Sequence, residues 1–312
     1  MRREGSAFHG LGVVMLKELS DHFTSARMRV LEWLVVLTAL AAVYGAIQQV
    51  RDVTAEDPFL FLRLFTTARD PLPSFVSFLS FLVPLMAIGL GFDAINGEHN
   101  RRTLSRILSQ PIYRDALLFG KFLAGLLTLS VSLTALWLLV IGLGLIMLGV
   151  PPSGEEMARA FIFLIVTIAY AGVWLALAML FSITFRSAAT AALVTLGLWL
   201  FISVIWPALA PAIAEAFFAN SDQATLVIAG QMLARLSPAT LFGETVLALL
   251  HPTTRTLGPI YLSQLEGAVM GSPLPLWDSI MVAWPQIVGL IAATIIFFVG
   301  GYVAFQRQEV RA

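Results

Sequence analysis

The chain has 312 residues, of which 58% are hydrophobic and 12% are charged, and its formal net charge is zero. Soluble domains carry about 25% charged residues, so a soluble globule of this composition would expose large apolar patches. The composition therefore excludes a cytosolic enzyme and a disordered chain. The balanced charge disfavours nucleic-acid binding, because no excess of cations is available for phosphates. Since the chain has no cysteine, it has no disulfide, thiolate metal ligand or Cys nucleophile.

Six apolar stretches are long enough to cross a bilayer, which takes about 20 helical residues. They predict an all-α integral membrane protein with a single transmembrane domain over residues 1–312. The predicted spans are residues 31–50, 72–92, 116–150, 157–184, 188–210 and 279–305.

The span interiors contain almost no ionisable side chain, which disfavours an ion-coupled carrier. Glu32 and Lys121 lie at span ends, and we expect the Lys121 ammonium group to snorkel to water.

The charges of the loops predict how the chain is oriented. With six spans, both termini lie on the same side of the membrane. Thirteen of the 19 Lys and Arg residues lie on that side and six lie on the other. Because cytoplasmic loops are enriched in Lys and Arg, we expect both termini to be cytoplasmic.

Residues 1–30 predict an amphipathic helix that lies in the membrane interface before the first span. Its apolar residues recur at the spacing of one helical face: Leu11, Val14, Met15, Leu19 and Phe23. Lys17, Glu18 and Asp21 lie off that face. The helix either anchors the chain in the interface or contacts a cytoplasmic partner, and the sequence leaves both hypotheses open.

The cytoplasmic link at residues 93–115, between the second and third spans, contains a second amphipathic pattern. Leu104, Ile107 and Leu108 form a short apolar face, and Pro111 ends the helix. Three arginines surround this face: Arg101, Arg102 and Arg106. A helix of two turns is not stable alone, so it must dock either on lipid headgroups or in a groove of a soluble partner.

Residues 207–278, between the fifth and sixth spans, form the largest segment outside the membrane, and we expect it to be helical. Its first part, residues 207–218, is apolar but contains Pro207 and Pro211, which predicts a broken, half-buried or re-entrant helix. Two short helices are expected after it, from Asp222 to about Leu236 and over residues 239–250. The acidic side chains of this segment are expected to face water.

Residues 97–125, GEHNRRTLSRILSQPIYRDALLFGKFLAG, resemble the segment after the second span in membrane subunits of ATP-binding-cassette exporters. That family has an acidic residue, then Gly-Thr-Leu, Leu-Leu-Ser-x-Pro, an arginine, and Leu-Gly-Lys at the start of the third span. The matching residues are Glu98, Thr103, Leu104, Leu108, Ser109, Gln110, Pro111, Arg114, Gly120 and Lys121. Arg102 stands where the family usually has glycine. Residues 236–252 are similar to permeases of the nitrous-oxide-reductase maturation and drug-efflux group.

The resemblance implies the permease subunit of an exporter in a prokaryotic cytoplasmic membrane. The helix in the link would be a coupling helix that seats in a cleft of a separate ATPase subunit. The interface residues implied are Glu98, Arg101, Arg102, Thr103, Leu104, Ile107, Leu108, Pro111 and Arg114. Since the chain has no phosphate-binding loop of its own and no catalytic or metal-binding pattern, it would not be an enzyme by itself. It would need no cofactor, and ATP and magnesium would bind the partner ATPase.

Six spans per subunit imply a second copy of the chain or a paralogue beside it in the bilayer. A hydrophobic or amphipathic substrate would contact the second and fifth spans, where the candidate residues are Phe75, Phe78, Phe81 and Trp199. The alternative hypothesis is a non-transporting scaffold or mechanotransmission subunit. It would couple the same ATPase to an extracytoplasmic accessory protein through the outer region.

Overall fold

The computed structural model describes residues 10–51, 59–100, 113–218, 221–257 and 273–308. Within these ranges the secondary structure is helical, without a β-strand, apart from one isolated bridge between Arg69 and Leu72. Six helical segments in these ranges are long and apolar enough to cross a membrane. The prediction of an all-α protein with six transmembrane helices is confirmed.

The helices follow the predicted spans closely. In chain order they are α1 (Leu11–Thr24), α2 (Ala26–Arg51), α3 (Arg63–Thr66), α4 (Phe75–Gly91), α5 (Asn96–Asn100), α6 (Arg114–Leu148), α7 (Gly154–Thr184), α8 (Ala188–Leu200), α9 (Trp206–Phe218), α10 (Gln223–Ala234), α11 (Pro238–Leu250) and α12 (Leu276–Arg307). A π-helical turn, Phe201–Ile205, joins α8 to α9. The six spans are α2, α4 with α5, α6, α7, α8 with α9, and α12.

The fourth span, α7, lies at the centre of the bundle and contacts α4, α6, α8, α11 and α12. Glycines let two of its neighbours approach closely. A Cβ at Gly91 of α4 would lie 2.8 Å from the Cβ of Ala178, and a Cβ at Gly125 of α6 would lie 3.0 Å from a methyl group of Leu175. Small residues at such contacts allow the tight helix packing that stabilises membrane bundles.

The bundle has two ends, which are named here by the segments that lie there. The terminal face comprises α1, residues 93–100, the start of α6, and the last turn of α12. The distal face comprises residues 59–74, residues 150–153, α9, the start of α10 and the end of α11. Arg114 at the start of α6 donates a 3.0 Å hydrogen bond to the carbonyl of Gln308, just after α12, so the end of the last helix lies beside the start of the third span.

The fifth span continues beyond the predicted boundary at residue 210, and the prediction of a broken helix over residues 207–218 is wrong. Both Pro207 and Pro211 lie inside the continuous helix α9. A proline ring clashes with the carbonyl four residues earlier, which for Pro207 is the carbonyl of Ser203 in the π-helical turn. The π-helical turn is thus the local departure from α-helical geometry just before Pro207.

The two short helices predicted after residue 222 are confirmed, but they form a bent hairpin that enters the bundle. Helices α10 and α11 meet at 109°, and Trp206 donates a 2.7 Å hydrogen bond from Nε1 to the carbonyl of Leu233. On α11, Phe242 stacks on Tyr170 of α7 with ring centroids 4.5 Å apart. Tyr170 lies about 24 Å along α7 from its distal end, so the start of α11 is deep inside the bundle.

Two arginine clusters fix this hairpin, one at the distal face and one at its bend. Arg159 is fully buried and donates hydrogen bonds to the Glu155 carboxylate, the Ser279 hydroxyl and the carbonyl of Leu249. Arg235 forms a 2.8 Å ion pair with Glu244, which also accepts a hydrogen bond from Gln286 of α12. The expectation that all acidic side chains here face water is therefore wrong for Glu244.

Candidate functional site

The segment predicted to meet an ATPase follows α5 and precedes α6 in the chain. Of the implied interface residues, Glu98 and Arg114 lie in the described parts of the chain. The others lie outside the described residues: Arg101, Arg102, Thr103, Leu104, Ile107, Leu108 and Pro111. The structure therefore describes how both flanks of this segment are held, and it is these flanks that form the candidate site.

Lys121 of α6 is the centre of a buried ion cluster at this face. Its Nζ lies 2.7 Å from Oε1 of Glu98 and 2.8 Å from Oε1 of Glu18. The Lys121 side chain is 4% exposed, so the expectation that its ammonium group snorkels to water is wrong. Glu98 belongs to residues 93–100, at the start of the predicted link, and Glu18 belongs to α1. One cation thus joins the N-terminal helix, residues 93–100 and the third span.

The position of Glu18 differs from the sequence expectation. The buried residues of α1 are Val14 and Glu18, four residues apart and hence on one face, so Glu18 lies on the packed side. The helix itself is confirmed, but its buried face is rotated from the predicted apolar stripe. Gly120 makes this packing possible: a Cβ there would lie 2.8 Å from Cγ1 of Val14.

The charges on α1 respond to this burial. Burial raises the pKa of Glu18, but the charge of Lys121 and hydrogen bonds from Lys121 and Lys17 outweigh it, so the net pKa lies below 4.5. Burial lowers the pKa of Lys17, yet the hydrogen bonds to Asp21 and Glu18 raise it further, and the net shift is upward. Burial also lowers the pKa of His22. At neutral pH, Glu18 and Lys17 are therefore both charged, and His22 is uncharged.

Residues 93–100 are also attached to the end of α7. The Ser182 hydroxyl oxygen accepts hydrogen bonds from the backbone N–H groups of Ile95 and Asn96, at 3.0 and 3.3 Å. Asn96 and Asn100 donate from their side-chain amides to the carbonyls of Phe185 and Arg186. This segment is thus bound to the end of the fourth span by side chains from both partners.

A surface ion pair adds α2 to the same assembly. Arg27 lies 3.0 Å from the carboxylate of Asp93, and its guanidinium group lies 5.1 Å from the ring centroid of Phe92. Arg27 is at the start of the first span, and Asp93 follows the second. These contacts place the start of the first span beside residues 93–100.

The segment after the coupling link is held by α12. Arg114 donates to the carbonyls of Gln306 and Gln308, and its guanidinium group lies 5.9 Å from the Phe305 ring centroid. Asp115 accepts a hydrogen bond from the Gln306 side chain. The two flanks of residues 101–112 are therefore attached to different spans.

The four candidates for a substrate path do not form one surface. Phe75 is buried and packs edge-on against Phe65, and Phe78 is half-buried. Phe81 is half exposed and meets the buried Trp199 with ring centroids 4.9 Å apart. The structure thus brings together Phe81 of the second span and Trp199 of the fifth.

Sequence reasoning missed Glu18 and the ion pairs of Lys121. The available signal was a lysine inside an apolar stretch, because a buried cation needs a carboxylate partner. Glu98 matched the family pattern and was a candidate on that ground. No sequence pattern pointed to Glu18, because its hydrogen bond from Lys121 joins residues that are 103 positions apart.

Comparison with known proteins agrees with this architecture. Residues 13–310 match the family described as ABC-2 family transporter protein. The chain is 31% identical over 225 residues to a protein of Pseudomonas aeruginosa named "Probable ABC transporter permease protein NosY", covering 70% of this chain and 73% of that protein.

A protein of the same name from Stutzerimonas stutzeri is 32% identical over 145 residues, which cover 45% of this chain and 51% of the relative. The family match spans nearly the whole chain, including all six membrane-spanning helices and both flanks of the coupling link. The chain is a multi-pass membrane protein that belongs to the ABC-2 family of ATP-binding-cassette transporter membrane subunits.

Proposed function

We propose that this chain moves a hydrophobic or amphipathic substrate out of the cytoplasm when a separate ATPase subunit docks on residues 97–114. The observation that supports this proposal is the attachment of both flanks of that segment. Residues 93–100 are bound to α2, α6 and α7 and are linked to α1 through Lys121, and Arg114 is bound to the end of α12. A force applied between these flanks would act on several spans at once.

In this proposal Leu104, Ile107 and Leu108 enter the cleft of the ATPase, and Arg101, Arg102 and Thr103 make polar contacts beside them. Glu98 and Arg114 connect the docked helix to the bundle, while Pro111 sets the direction of the chain into α6. The terminal face is then cytoplasmic, as the distribution of Lys and Arg predicts. ATP and magnesium bind the ATPase, and this chain acts without a cofactor.

The decisive experiment is the double substitution of Leu104 and Leu108 by aspartate. Two carboxylates in an apolar cleft would be desolvated without partners, so we expect the ATPase to be lost on co-purification and its stimulation by the permease to disappear. The matched control replaces the same two leucines with methionine, which conserves volume, and should retain both. Normal co-purification and stimulation of the aspartate variant would refute the docking site.

The transport step is tested with the reconstituted complex. ATP-dependent movement of a fluorescent amphiphile across proteoliposomes, absent in the aspartate variant, is the expected result. Stimulated ATP hydrolysis without movement of any amphiphile would favour the scaffold hypothesis instead.

One observation favours keeping that second hypothesis. The α10–α11 hairpin is fixed to α7 and α12 by Arg159 and Arg235, and it adjoins exposed apolar side chains at the distal face. These are Phe217 and Phe218, at the end of α9. Motion of the spans would move this surface, which an extracytoplasmic accessory protein could bind.

A further inference from the structure

A groove of about 360 Å³ lies among the first, second and third spans, near the point where α1 meets the bundle. Its walls include Phe23 of α1, Val36 of α2, Met86 of α4, and Leu139 of α6. Val131, also in the wall, is 47% exposed, so the groove opens sideways from the bundle. It is separate from the ion cluster at Lys121 and from the contact between Phe81 and Trp199.

Glu32 is the one ionisable side chain among the residues that line this groove. Its Oε1 atom accepts a 2.9 Å hydrogen bond from the Ser132 hydroxyl. Among the described residues, no Lys, Arg or His forms an ion pair with it. Ionisable side chains in membrane spans usually pair with one another or mark ligand pathways, and Glu32, near the terminal-face end of the first span, has no charged partner among the described residues. A ligand cation would supply the counter-charge to the Glu32 carboxylate, which no described residue of the chain provides.

The groove has a polar end and an apolar end at different depths. Glu32 lies about 7 Å along α2 from Arg27, and its neighbour Trp33 is 65% exposed, as is typical of aromatic side chains at a membrane interface. From Ser132 the lining continues along α6 to Leu139, about 10 Å deeper into the bundle. A charged head at Glu32 would thus lie at the interface, with its tail directed toward the membrane centre.

We propose that this groove binds a cationic amphiphile, a molecule with one protonated amine and one hydrocarbon chain, that enters sideways from the leaflet at the terminal face. The amine pairs with Glu32 and hydrogen-bonds Ser132, while the chain lies against Val36, Met86 and Leu139. An anionic amphiphile would be repelled by the carboxylate, and a zwitterionic lipid would bring its phosphate close to it. The proposal names a substrate class, so the statement that this ligand is transported rests on the proposed function.

Binding is measured without the ATPase, on the purified chain in phosphatidylcholine nanodiscs, with empty nanodiscs as the baseline. The probes are dodecylamine and its uncharged analogue dodecanol. We expect Glu32→Gln to weaken dodecylamine binding by tenfold or more and to leave dodecanol binding unchanged, whereas Glu32→Asp should retain most of the affinity. Glu215→Gln, at an exposed acidic position of the distal face, is the matched control and should bind like the original chain.

A second variant tests the groove itself. Val131→Trp places a large side chain at its opening and should weaken binding of both probes while the carboxylate stays in place. Equal dodecylamine affinity in the Glu32→Gln variant, or in the Val131→Trp variant, would overturn the proposal. So would displacement of dodecylamine by phosphatidylethanolamine added to the nanodiscs, because a membrane lipid would then be the occupant. Binding that depends on Glu32 without ATP-driven movement would instead contradict the proposed transport function alone.

Discussion

Lys121 is a cation with almost no access to water, and its two carboxylate partners come from different segments of the chain. Burying such a group costs several kcal/mol, which the attraction between the charges offsets only when the geometry is good. Net stability is therefore a weak reason for this cluster to exist. Its specific effect is to fix the positions of α1 and residues 93–100 relative to the third span.

The first prediction concerns the loss of this cation. Lys121→Met leaves Glu18 and Glu98 as two carboxylates in one buried site, and removal of one partner from a buried pair costs about 3–5 kcal/mol. We expect a clearly lower unfolding temperature in detergent and a loss of stimulated ATP hydrolysis in the reconstituted complex.

A triple variant separates stability from coupling. When Lys121→Met is combined with Glu18→Gln and Glu98→Gln, the site holds no charge, and we expect most of the lost stability to return. Coupling to the ATPase should stay weak, because the ion pairs that join the three segments are still missing. A single Lys121→Met variant as stable as the original chain would show that the cluster does not hold these segments.

The residues of this site could be predicted only in part. Glu98 and Arg114 match a family pattern, whereas the apolar face at Leu104 to Leu108 lies outside the described residues and stays a prediction. Glu18 could not be placed, because helical periodicity separates apolar from polar side chains and assigns a buried carboxylate to the solvated side. Its burial depends on Lys121, whose partner choice is set by how α1 docks on α6.

At the scale of helices, hydropathy predicted the positions of the six spans well. The third span, α6, runs from Arg114 to Leu148, close to the predicted 116–150. The fifth span was ended too early, because two prolines normally indicate a break and the π-helical turn before Pro207 has no mark in the sequence. The hairpin of α10 and α11 was placed outside the bundle, since its moderate length and mixed polarity do not reveal the stacking of Phe242 on Tyr170.

The contact between α1 and α6 gives the next prediction. A Cβ at Gly120 would lie 2.8 Å from Cγ1 and 3.0 Å from Cβ of Val14, so Gly120→Ala should push α1 away from the third span. We expect faster hydrogen exchange in α1 and weaker stimulation of the ATPase, because Glu18 would move away from Lys121.

Gly142 offers a matched control on the same helix. No atom lies within 4 Å of a Cβ built at that position, so Gly142→Ala meets no neighbour. Since alanine favours a helix over glycine by about 1 kcal/mol, this variant should be as stable as the original chain or slightly more so. Equal hydrogen exchange of α1 in the two variants would contradict the importance of the close contact at Gly120.

At the scale of the whole molecule, the bundle is unevenly covered. The fourth span is surrounded by other helices, whereas the sixth span and the fifth span each expose a row of large apolar side chains along their length. On the fifth span they include Leu193, Leu200, Val204, Leu209 and Phe217. Lipid can cover these surfaces, but the second copy or paralogue expected from six spans per subunit would cover the fifth span, on the side where Phe81 and Trp199 meet.

The final prediction tests this second copy by cross-linking in membranes. The chain has no cysteine, so a single introduced cysteine reports on one position only. Leu200→Cys on the fifth span should form a disulfide-linked dimer on mild oxidation, because a disulfide requires Cβ atoms within about 4.5 Å. Ile296→Cys on α12 is the matched control, since both side chains are exposed apolar groups and both lie about 17 Å from the terminal-face end of their span.

If the copies meet along the fifth span, the Leu200→Cys dimer dominates and persists when the protein is diluted with excess lipid before oxidation. Equal dimer yields at the two positions would indicate random collision, and a dimer from Ile296→Cys alone would place the contact on the last span.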